Sequence, residues 1–551
     1  MEWVRRNPAT ALLGAAIAAS VFGLLWLTKD LTFLQDTWDL LINRRDPSAD
    51  SLLAPHNEHI IVIPAALEQL LIRVFGMSDA MPEYVIQTLV LAAAAALLYV
   101  YMRRRVGDWL ALFGVALVLF LGPAWEVLLW PFELGFAGSV LFGLAMLLAL
   151  DRDDRRGDLA ASIFLLVSFG FSSVAIPFAV AAAVEVFQKR RVRGWGRAWV
   201  FAVPLGIYAL WYLGWGSDAE THLSLRNVLT SPRFVADSAA AAVGNLVGLS
   251  DTPLNGPADP TWGRPLLLAL VVGLAYAFLR NRPIPASFWP IAAAAATNWF
   301  LTAFNASEGR APVSSRYQYM GAILVLLLLA NLLRGVRPGR RTLAVVGAFA
   351  AIALAANLMY LRDGRDVLMI QSVFTRSDLA AIEIAERTVE PGFWLNSEIA
   401  GTTTLVNVQA DKYLEAVDDY GSPAYTPAEL AAAPSYGRRQ ADIILSQALP
   451  LSTVTDLNAY QARGGGENCV ALAGDAADRE VPLSPGPTRV ELAPGPPAEF
   501  SLRRFATGEY PVPTEGAPGG SVTVVRVPRD TAPQYPWYLK VEAEQTARVC
   551  R

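Results

Sequence analysis

The chain has 551 residues, of which 54% are hydrophobic and only 17% are charged, and its formal net charge is −4. The apolar residues come in long blocks, a pattern that excludes an ordinary soluble protein and predicts a polytopic membrane protein. The small net charge gives no reason to expect a nucleic-acid partner. A chain of this length has room for more than one domain.

About eleven apolar stretches are candidates to cross a bilayer as helices. The first follows Arg5 and Arg6, and because no small-residue cleavage site comes after it, we expect it to remain as a signal-anchor. The fifth and sixth are short and separated only by residues 170–173, which predicts a tight hairpin or broken helices. The stretches lie near residues 8–28, 82–102, 108–122, 135–150, 158–169, 171–187, 198–215, 264–280, 287–304, 317–333 and 342–361.

Arginine and lysine residues cluster in every second turn between these stretches, for example at 103–105, 189–193 and 334–341. Positively charged loops stay in the cytoplasm, so this pattern places the N-terminus inside. The exterior loops are then 29–81, 123–134, 216–263 and 305–316, and an odd number of spans puts the C-terminal region outside as well. The expected location is the inner or plasma membrane.

From about residue 362 the composition becomes that of a soluble domain. Two helical segments precede short alternating runs broken by Pro and Gly, which together predict an α+β or β-sandwich fold. The only two cysteines, Cys469 and Cys550, lie here; outside the cytoplasm we expect a disulfide, with two unrelated thiols as the alternative. The predicted domains are therefore 1–361, which spans the membrane, and 362–551, a candidate carbohydrate-binding domain.

Two acids open the first exterior loop directly after the first span. If this segment is helical, Asp36 and Asp39 are three residues apart and share a face. Two carboxylates held in this way could bind a divalent cation such as Mg or Mn, or one could act as a general base that the other tunes. The alternative is two solvated acids at the end of a helix.

The same loop holds two of the chain's three histidines, in the stretch APHNEHII at 54–61. A zinc-protease motif needs His-Glu-x-x-His, whereas His56 and His59 are three apart and Glu58 is next to the second, so that motif is absent. Two interpretations remain. These residues are incidental polar groups at the membrane interface, or they form a wall that contacts a polar substrate through Glu58 or a histidine.

Together these features resemble the GT-C superfamily of integral-membrane glycosyltransferases. The resemblance rests on the acids Asp36 and Asp39 in the first exterior loop, the multi-span body, the interfacial segments of that loop and the soluble exterior domain. The stretch PHNEH also looks like first-loop segments of bacterial members. The likeness covers roughly residues 1–361.

The resemblance implies a polyprenyl-phosphate-linked sugar donor and a glycan, lipid or protein acceptor on the outer face of the membrane. It also implies that Asp36 or Asp39 is the general base that deprotonates the acceptor hydroxyl. Members often carry a further acid in the second exterior loop, where Glu126 and Glu133 are the candidates. The alternative for Glu133 is a carboxylate that caps a helix N-terminus.

Glycosyl transfer also needs a positive charge or a metal at the departing phosphate. Arg310 and Arg316, in the last exterior loop, could fork onto a lipid phosphate, the alternative being side chains that snorkel at the interface. Trp38 and Tyr317 could stack on sugar rings, although an aromatic membrane belt explains such residues equally well.

The sequence therefore predicts a membrane glycosyltransferase of the inverting type with a role in the cell envelope. An alternative from another class is a non-catalytic membrane anchor or exporter component that displays a carbohydrate-binding domain. A secondary transporter would need polar groups at mid-membrane, and the spans offer little beyond Asn298 and the pair Ser172 and Ser173.

Overall fold

The computed structural model divides the chain into two compact units. The residues it describes are 7–219, 222–250, 260–281, 283–307, 309–395, 398–399, 402–456, 469–472 and 480–550. The first unit consists of Met1–Asp30, Arg44–Leu71 and Met81–Leu368, and the second of Leu31–Asn43, Ile72–Ala80 and Met369–Arg551. The second unit thus contains two pieces of the first exterior loop in addition to the C-terminal region.

Every predicted span coincides with a helix, because the Ala- and Leu-rich runs pair all their backbone groups internally, as a bilayer requires. Five described helices are long and apolar enough to cross a membrane, or six if Asp108–Leu119 and Gly122–Leu129, bent by 48°, form one span. The predicted fold class, a polytopic helical membrane protein, is confirmed, while the count of eleven spans stays a prediction. The helices are Pro8–Thr28, Met81–Val106, Asp108–Leu119, Leu134–Leu150, Arg155–Phe171, Ile176–Arg193, Trp199–Gly214, Gly263–Asn281, Phe288–Phe304, Ser315–Leu332 and Arg340–Ala385.

The predicted break at 170–173 is a turn between two helices. Arg155–Phe171 ends at an extended Ser172, and a 3₁₀ turn, Ser173–Ala175, leads into Ile176–Arg193. The Ser172 hydroxyl accepts the N–H of Val174 at 3.3 Å. The break also places the Ser173 hydroxyl against the first exterior loop.

The exterior loops of the first unit contain further helices. The first loop forms Ala49–Leu53 and Val62–Phe75, the latter continuing into the second unit. The loop 216–263 contains the helix Leu225–Leu246, which begins at an N-cap: the Ser224 hydroxyl accepts the N–H of Asn227 at 3.1 Å. The Pro/Gly/Asp-rich turn expected next falls largely on residues 251–259, outside the described residues.

The second unit combines short helices with antiparallel sheets. Its described helices are Thr37–Asn43, Ala410–Tyr420, Pro427–Ala432 and Ser435–Ala448. Its described strands, β1 to β11, are Glu398–Ile399, Thr402–Thr403, Ser452–Asp456, Cys469–Leu472, Glu480–Leu483, Gly486–Leu492, Ala498–Arg503, Val512–Ala517, Val522–Val527, Trp537–Glu542 and Ala547–Cys550.

The longer strands form two antiparallel sheets. The four-stranded sheet has the order β5-β10-β7-β8, and the five-stranded sheet has the order β3-β9-β6-β11-β4. Buried and exposed residues alternate along strands such as β6. The predicted C-terminal β fold is therefore confirmed.

The two cysteines lie opposite each other on neighbouring strands of the five-stranded sheet. Cys469 in β4 faces Cys550 in β11, and their sulfurs are bonded at 2.04 Å. The bridge joins residues 81 positions apart, so it fixes the end of the chain to a strand that begins far upstream.

Candidate functional site

The stretch with two histidines forms a tight hairpin in the first unit. His56 and His59 exchange both backbone hydrogen bonds, at 3.0 and 2.9 Å, and Asn57 at the tip has φ +48°. Asparagine tolerates this left-handed conformation better than most residues. The His56 ring meets Phe132 edge-to-face at 4.8 Å, and the His59 ring meets Phe136 in the same way at 5.4 Å. Both histidines thus hold the hairpin against the start of Leu134–Leu150.

The serine at the helix break fixes the other side of this hairpin. The Ser173 hydroxyl accepts the N–H of Ile60 at 3.3 Å and donates to the backbone carbonyl of Glu58 at 3.3 Å. The Tyr208 hydroxyl donates in turn to Ser173 at 3.2 Å. These contacts fix the backbone of the hairpin at Glu58 and Ile60.

The Glu58 carboxylate forms an ion pair with an arginine from the last exterior loop. Arg310 Nη1 lies 2.5 Å from Glu58 Oε1, and the two side chains are only 14% and 20% exposed. Burial alone would raise the pKa of Glu58, but nearby His59 and the Arg310 guanidinium outweigh it and lower the pKa below its ordinary value. Glu58 is therefore a carboxylate at neutral pH.

His59 lies beside this pair and is neutral. Its Nε2 is 3.7 Å from Glu58 Oε1. Burial lowers the pKa of His59 to about 4, since the effect of the adjacent carboxylate is smaller and the Arg310 guanidinium adds to the lowering. At neutral pH the cation that neutralises Glu58 is consequently Arg310, and the imidazole offers one donor and one acceptor nitrogen.

Glu126 caps the helix that carries the second predicted arginine. Its Oε2 accepts the backbone N–H of Arg316 at 3.0 Å, and its own N–H donates to the Ser315 hydroxyl at 3.1 Å. Arg316 Nε also lies 3.4 Å from Glu126 Oε2. A carboxylate at this position favours the N-terminus of Ser315–Leu332 and fixes the first turn, from which Arg316 and Tyr317 project.

The other predicted acid of the second exterior loop is buried. Glu133 is 4% exposed and stands immediately before Leu134–Leu150. In the described chain, its side chain makes no capping hydrogen bond to that helix. The capping alternative for Glu133 is therefore wrong, and the carboxylate that does cap a helix, Glu126, serves a different one, Ser315–Leu332.

A cavity of about 310 Å³ lies beside this group of residues within the first unit. Four of the predicted residues line it: Glu58, His59, Arg316 and Tyr317. The remaining wall mixes polar and apolar side chains from the helices that follow: Phe136, Ser173, Val174, Ile176, Pro177, Tyr208, Tyr212, Asn298, Leu301, Thr302, Asn305 and Met320. The cavity therefore offers a cation and hydrogen-bonding groups beside a hydrocarbon surface.

Two polar atoms at this cavity lack a partner. Among the described residues, Glu58 Oε2 and His59 Nδ1 are buried and make no hydrogen bond. A buried polar atom without a partner costs free energy, so native structures seldom keep one where no ligand or water is bound. A ligand or water beside the hairpin would supply the hydrogen bonds that these two atoms lack.

The two aspartates predicted as general base lie in the second unit. The helix begins at Thr37, so Asp36 stands immediately before it and Asp39 lies in its first turn. Asp39 is 9% exposed, and its Oδ1 accepts the amides of Asn43 at 3.0 Å and Asn407 at 3.3 Å. Asp36 is more exposed, and it follows Gln35, whose φ of +47° is unusual for a residue with a side chain.

Trp38 lies in the core of the second unit. It is fully buried, its indole N–H donates to the carbonyl of Phe33 at 3.1 Å, and its ring meets Phe33 and Tyr413 edge-to-face. These are the contacts of a packing residue, and a sugar ring could not stack on Trp38 in this conformation.

A metal site was also expected from the two aspartates. Among the residues that the structure describes, no three or more His, Cys, Asp or Glu side chains are grouped so as to hold a metal ion. Asp36 and Asp39 could supply two carboxylate ligands, and the divalent cation stays a prediction.

The sequence identified charged residues of the cavity, and of its uncharged polar wall it singled out only Tyr317 and, as polar groups within the spans, Ser173 and Asn298. Tyr208, Thr302 and Asn305, from two helices and the residue that follows one of them, were missed. No local pattern marks such residues, because each is an ordinary polar side chain within or beside an apolar run. Two further predicted residues contact the site without lining the cavity: Arg310 forms the ion pair with Glu58, and His56 packs the hairpin against Phe132.

The chain is similar in structure to a solved protein, although its sequence resembles no curated one. No family model matches the chain, and no curated protein matches its sequence. A crystal structure of ArnT from Cupriavidus metallidurans bound to undecaprenyl phosphate is similar in structure, with 13% sequence identity and a TM-score of 0.43. The match covers 81% of this chain and 96% of that one.

Proposed function

We propose that the protein is a membrane glycosyltransferase of the GT-C type, which transfers a sugar from a polyprenyl-phosphate-linked donor to an extracytoplasmic acceptor. The observation that carries this proposal is the cavity of about 310 Å³, which Arg316, Glu58 and His59 line together with apolar side chains. Among the described residues, Glu58 Oε2 and His59 Nδ1 have no hydrogen-bond partner. A lipid-linked sugar phosphate has the matching parts: an anionic phosphate, hydroxyl groups and a hydrocarbon chain.

Each charged residue then has a role in binding. Arg316 binds the donor phosphate, because a guanidinium can donate two hydrogen bonds to phosphate oxygens. Glu58 Oε2 accepts a sugar hydroxyl, and Arg310 keeps that carboxylate ionised and in place. His59, being neutral, uses its free nitrogen for a second sugar hydroxyl.

Transfer itself is a single displacement. The acceptor hydroxyl oxygen attacks the anomeric carbon, the bond from that carbon to the phosphate oxygen breaks, and the polyprenyl phosphate leaves with the bonding electrons. The acceptor proton passes to a carboxylate that acts as general base. We assign this role to Asp36 rather than Asp39, because Asp39 is nearly buried and already accepts two amide N–H groups, whereas Asp36 is more exposed.

The proposal places the second unit outside the cytoplasm. The distribution of arginine and lysine in the turns favours this side, and a disulfide between Cys469 and Cys550 persists in an oxidising compartment. The acceptor is then a glycan, lipid or protein of the cell envelope, and carbohydrate binding by the second unit would bring a glycan acceptor to the membrane.

The test is transfer of radiolabelled sugar from a polyprenyl-phosphate donor by the full chain in nanodiscs, with cell-envelope fractions as acceptors. Asp36→Asn should lower the rate by about 10²- to 10⁴-fold, the usual contribution of a general base. Asp39→Asn should have a smaller effect. Asp46→Asn is the matched control, because Asp46 is an exposed acid of the same loop.

The outcomes separate the two classes of function. If Asp36→Asn and Asp39→Asn both transferred sugar at the wild-type rate, neither residue would be the base. No transfer by the wild type with any donor, together with binding of cell-envelope glycan, would favour the non-catalytic anchor or exporter component instead. Arg316→Gln should weaken competition by undecaprenyl phosphate, while undecaprenol, which lacks the phosphate, should compete poorly against every variant.

A further inference from the structure

A second concave region of the first unit carries an unusual density of arginine. It is an open hollow of about 610 Å³, and it shares no lining residue with the cavity of the proposed transferase site. Its charged lining residues are Arg226, Arg233, Arg264 and Asp237. We call it the arginine hollow.

The ion pairs within the arginine hollow leave it with an excess of positive charge. Arg264 binds Asp237 in a bidentate manner, through Nε at 2.7 Å and Nη2 at 3.0 Å. Arg233 Nε is 3.6 Å from the same carboxylate, but the Arg233 side chain is 83% exposed. Arg226 is exposed and forms no ion pair within the described chain. One carboxylate therefore faces three guanidinium groups among the described lining residues.

The helix Leu225–Leu246 places two of these arginines, Arg226 and Arg233, next to exposed apolar side chains. Arg226, Thr230, Arg233 and Asp237 follow one another at helical spacing on the side that lines the hollow. The positions directly before them, Leu225 and Leu229, are 75% and 71% exposed. Two neighbouring stripes of one helix thus offer guanidinium groups and bare hydrocarbon, the arrangement of helices that lie at a membrane interface.

The far wall of the hollow is held in place by one asparagine. The Asn227 amide donates to the carbonyls of His222, Phe304 and Ala306, at 2.9, 3.1 and 2.9 Å. These bonds join the first turn of the helix to the end of Phe288–Phe304 and to the last exterior loop. The hollow is therefore built from fixed elements rather than from loosely placed surface side chains.

We propose that the arginine hollow binds the phosphate of an anionic phospholipid, with the acyl chains lying along Leu225 and Leu229. Neighbouring arginines bind phosphate oxygens through charge-assisted hydrogen bonds. The exposed leucines favour a ligand whose phosphate is attached to hydrocarbon chains. The chain also has at least five helices long and apolar enough to cross a membrane, and a bilayer around them would supply such a ligand. This inference does not depend on the transferase proposal, because the two regions share no lining residue.

The test uses the full chain in nanodiscs that contain a trace of phosphatidylglycerol with a photoreactive acyl chain. Crosslinks are mapped by mass spectrometry, and a matched photoreactive phosphatidylcholine reports binding without net charge. We expect crosslinks on residues 223–229 to be about tenfold more abundant with phosphatidylglycerol. The double variant Arg226→Gln/Arg233→Gln should remove this preference, whereas Arg340→Gln/Arg341→Gln, which changes two exposed arginines elsewhere, should preserve it.

Four results would overturn the proposal. The first is equal labelling of residues 223–229 by the two lipids, and the second is an unchanged preference in the glutamine double variant. The third is full displacement of phosphatidylglycerol by millimolar inorganic phosphate, which would mean that the hollow takes a free anion. Should the glutamine variant fold poorly, Arg226→Lys/Arg233→Lys keeps the charge and should retain the preference; its loss there would also contradict the proposal.

Discussion

A buried acid of the second unit and a half-buried acid of the first use their oxygens in opposite ways. In the second unit, both oxygens of Asp442 are occupied, since they accept the backbone N–H groups of Arg504, Phe505 and Ala506 at 2.8, 2.8 and 3.0 Å. In the first unit, Glu58 Oε1 binds Arg310, while Oε2 is buried without a partner among the described residues. Asp442 closes a turn, whereas Glu58 is left half satisfied at a cavity.

The comparison shows that burial by itself does not mark a functional acid. Burial raises the pKa of Asp442, and three N–H donors oppose it, yet nothing at that position is open to a ligand. A structural acid takes all its partners from the chain, whereas the acid at the candidate site takes its charge partner from the chain and leaves one oxygen for a substrate. The predictions that follow test this distinction.

The largest effect is expected at the structural acid. Asp442→Asn replaces an accepting oxygen with an NH₂ group, so at least one buried backbone N–H loses its partner, at a cost of about 3 kcal/mol. Hydrogen exchange at residues 504–506 should become about 100-fold faster. Asp418→Asn, a change at an exposed aspartate of the same unit, should leave exchange there unaltered. Equal exchange in both variants would mean that the three hydrogen bonds do not hold the turn.

The second prediction concerns the pH dependence of stability near Glu58. Because the pKa of His59 is about 4 in the folded protein and near 6.5 when unfolded, the unfolded chain binds more protons between these pH values. Stability should therefore fall as the pH drops from about 6.5 to 4, by up to about 3 kcal/mol from this group. A glutamine at this position does not titrate, so His59→Gln should flatten the pH dependence of the melting temperature over that range.

The control for this titration is the histidine outside the site. His222 is exposed, so His222→Gln should leave the slope of melting temperature against pH unchanged. If His59→Gln gave the wild-type slope, burial of a neutral imidazole beside Glu58 would not be the cause of acid sensitivity.

The third prediction measures the ion pair itself by a double-mutant cycle. Glu58→Gln, Arg310→Gln and the double variant should give a coupling energy of about 1–3 kcal/mol, since the pair is largely shielded from water. The matched cycle is Arg103→Gln with Asp108→Asn, whose side chains are 3.1 Å apart but 40% and 47% exposed. There the coupling should be below about 0.5 kcal/mol. Equal coupling in the two cycles would contradict the special role of the buried pair.

The features that could be predicted from the sequence are those that depend on neighbouring residues or on composition alone. The helices follow from local composition, because an apolar run of sufficient length determines its own conformation in a membrane. The residues of the hairpin could also be singled out, because two of three histidines and a glutamate fall within four positions. The disulfide was predictable because only two cysteines exist to pair.

Partnerships across the chain could not be predicted in this way. The Arg310–Glu58 pair joins residues 252 positions apart, and the Asn407–Asp39 hydrogen bond joins residues 368 apart. Nothing in a single sequence states which of several arginines meets which acid. For the same reason, the sequence identified Asp36 and Asp39 as equivalent candidates, and it is the burial and the two amide partners of Asp39 that distinguish them.

The smallest effect is expected at the tip of the hairpin that presents Glu58. Asn57 has φ +48°, a conformation that costs alanine about 1 kcal/mol and glycine almost nothing. Asn57→Ala should therefore open the His56–His59 backbone pair about fivefold more often, which hydrogen exchange at these two amides would measure. Asn57→Gly is the matched control and should exchange at nearly the wild-type rate. Ser173 and the two phenylalanine contacts still hold the hairpin in both variants, so neither change should separate Glu58 from Arg310. Faster exchange without loss of the ion-pair coupling would show that contacts around the hairpin, rather than the turn alone, position the acid.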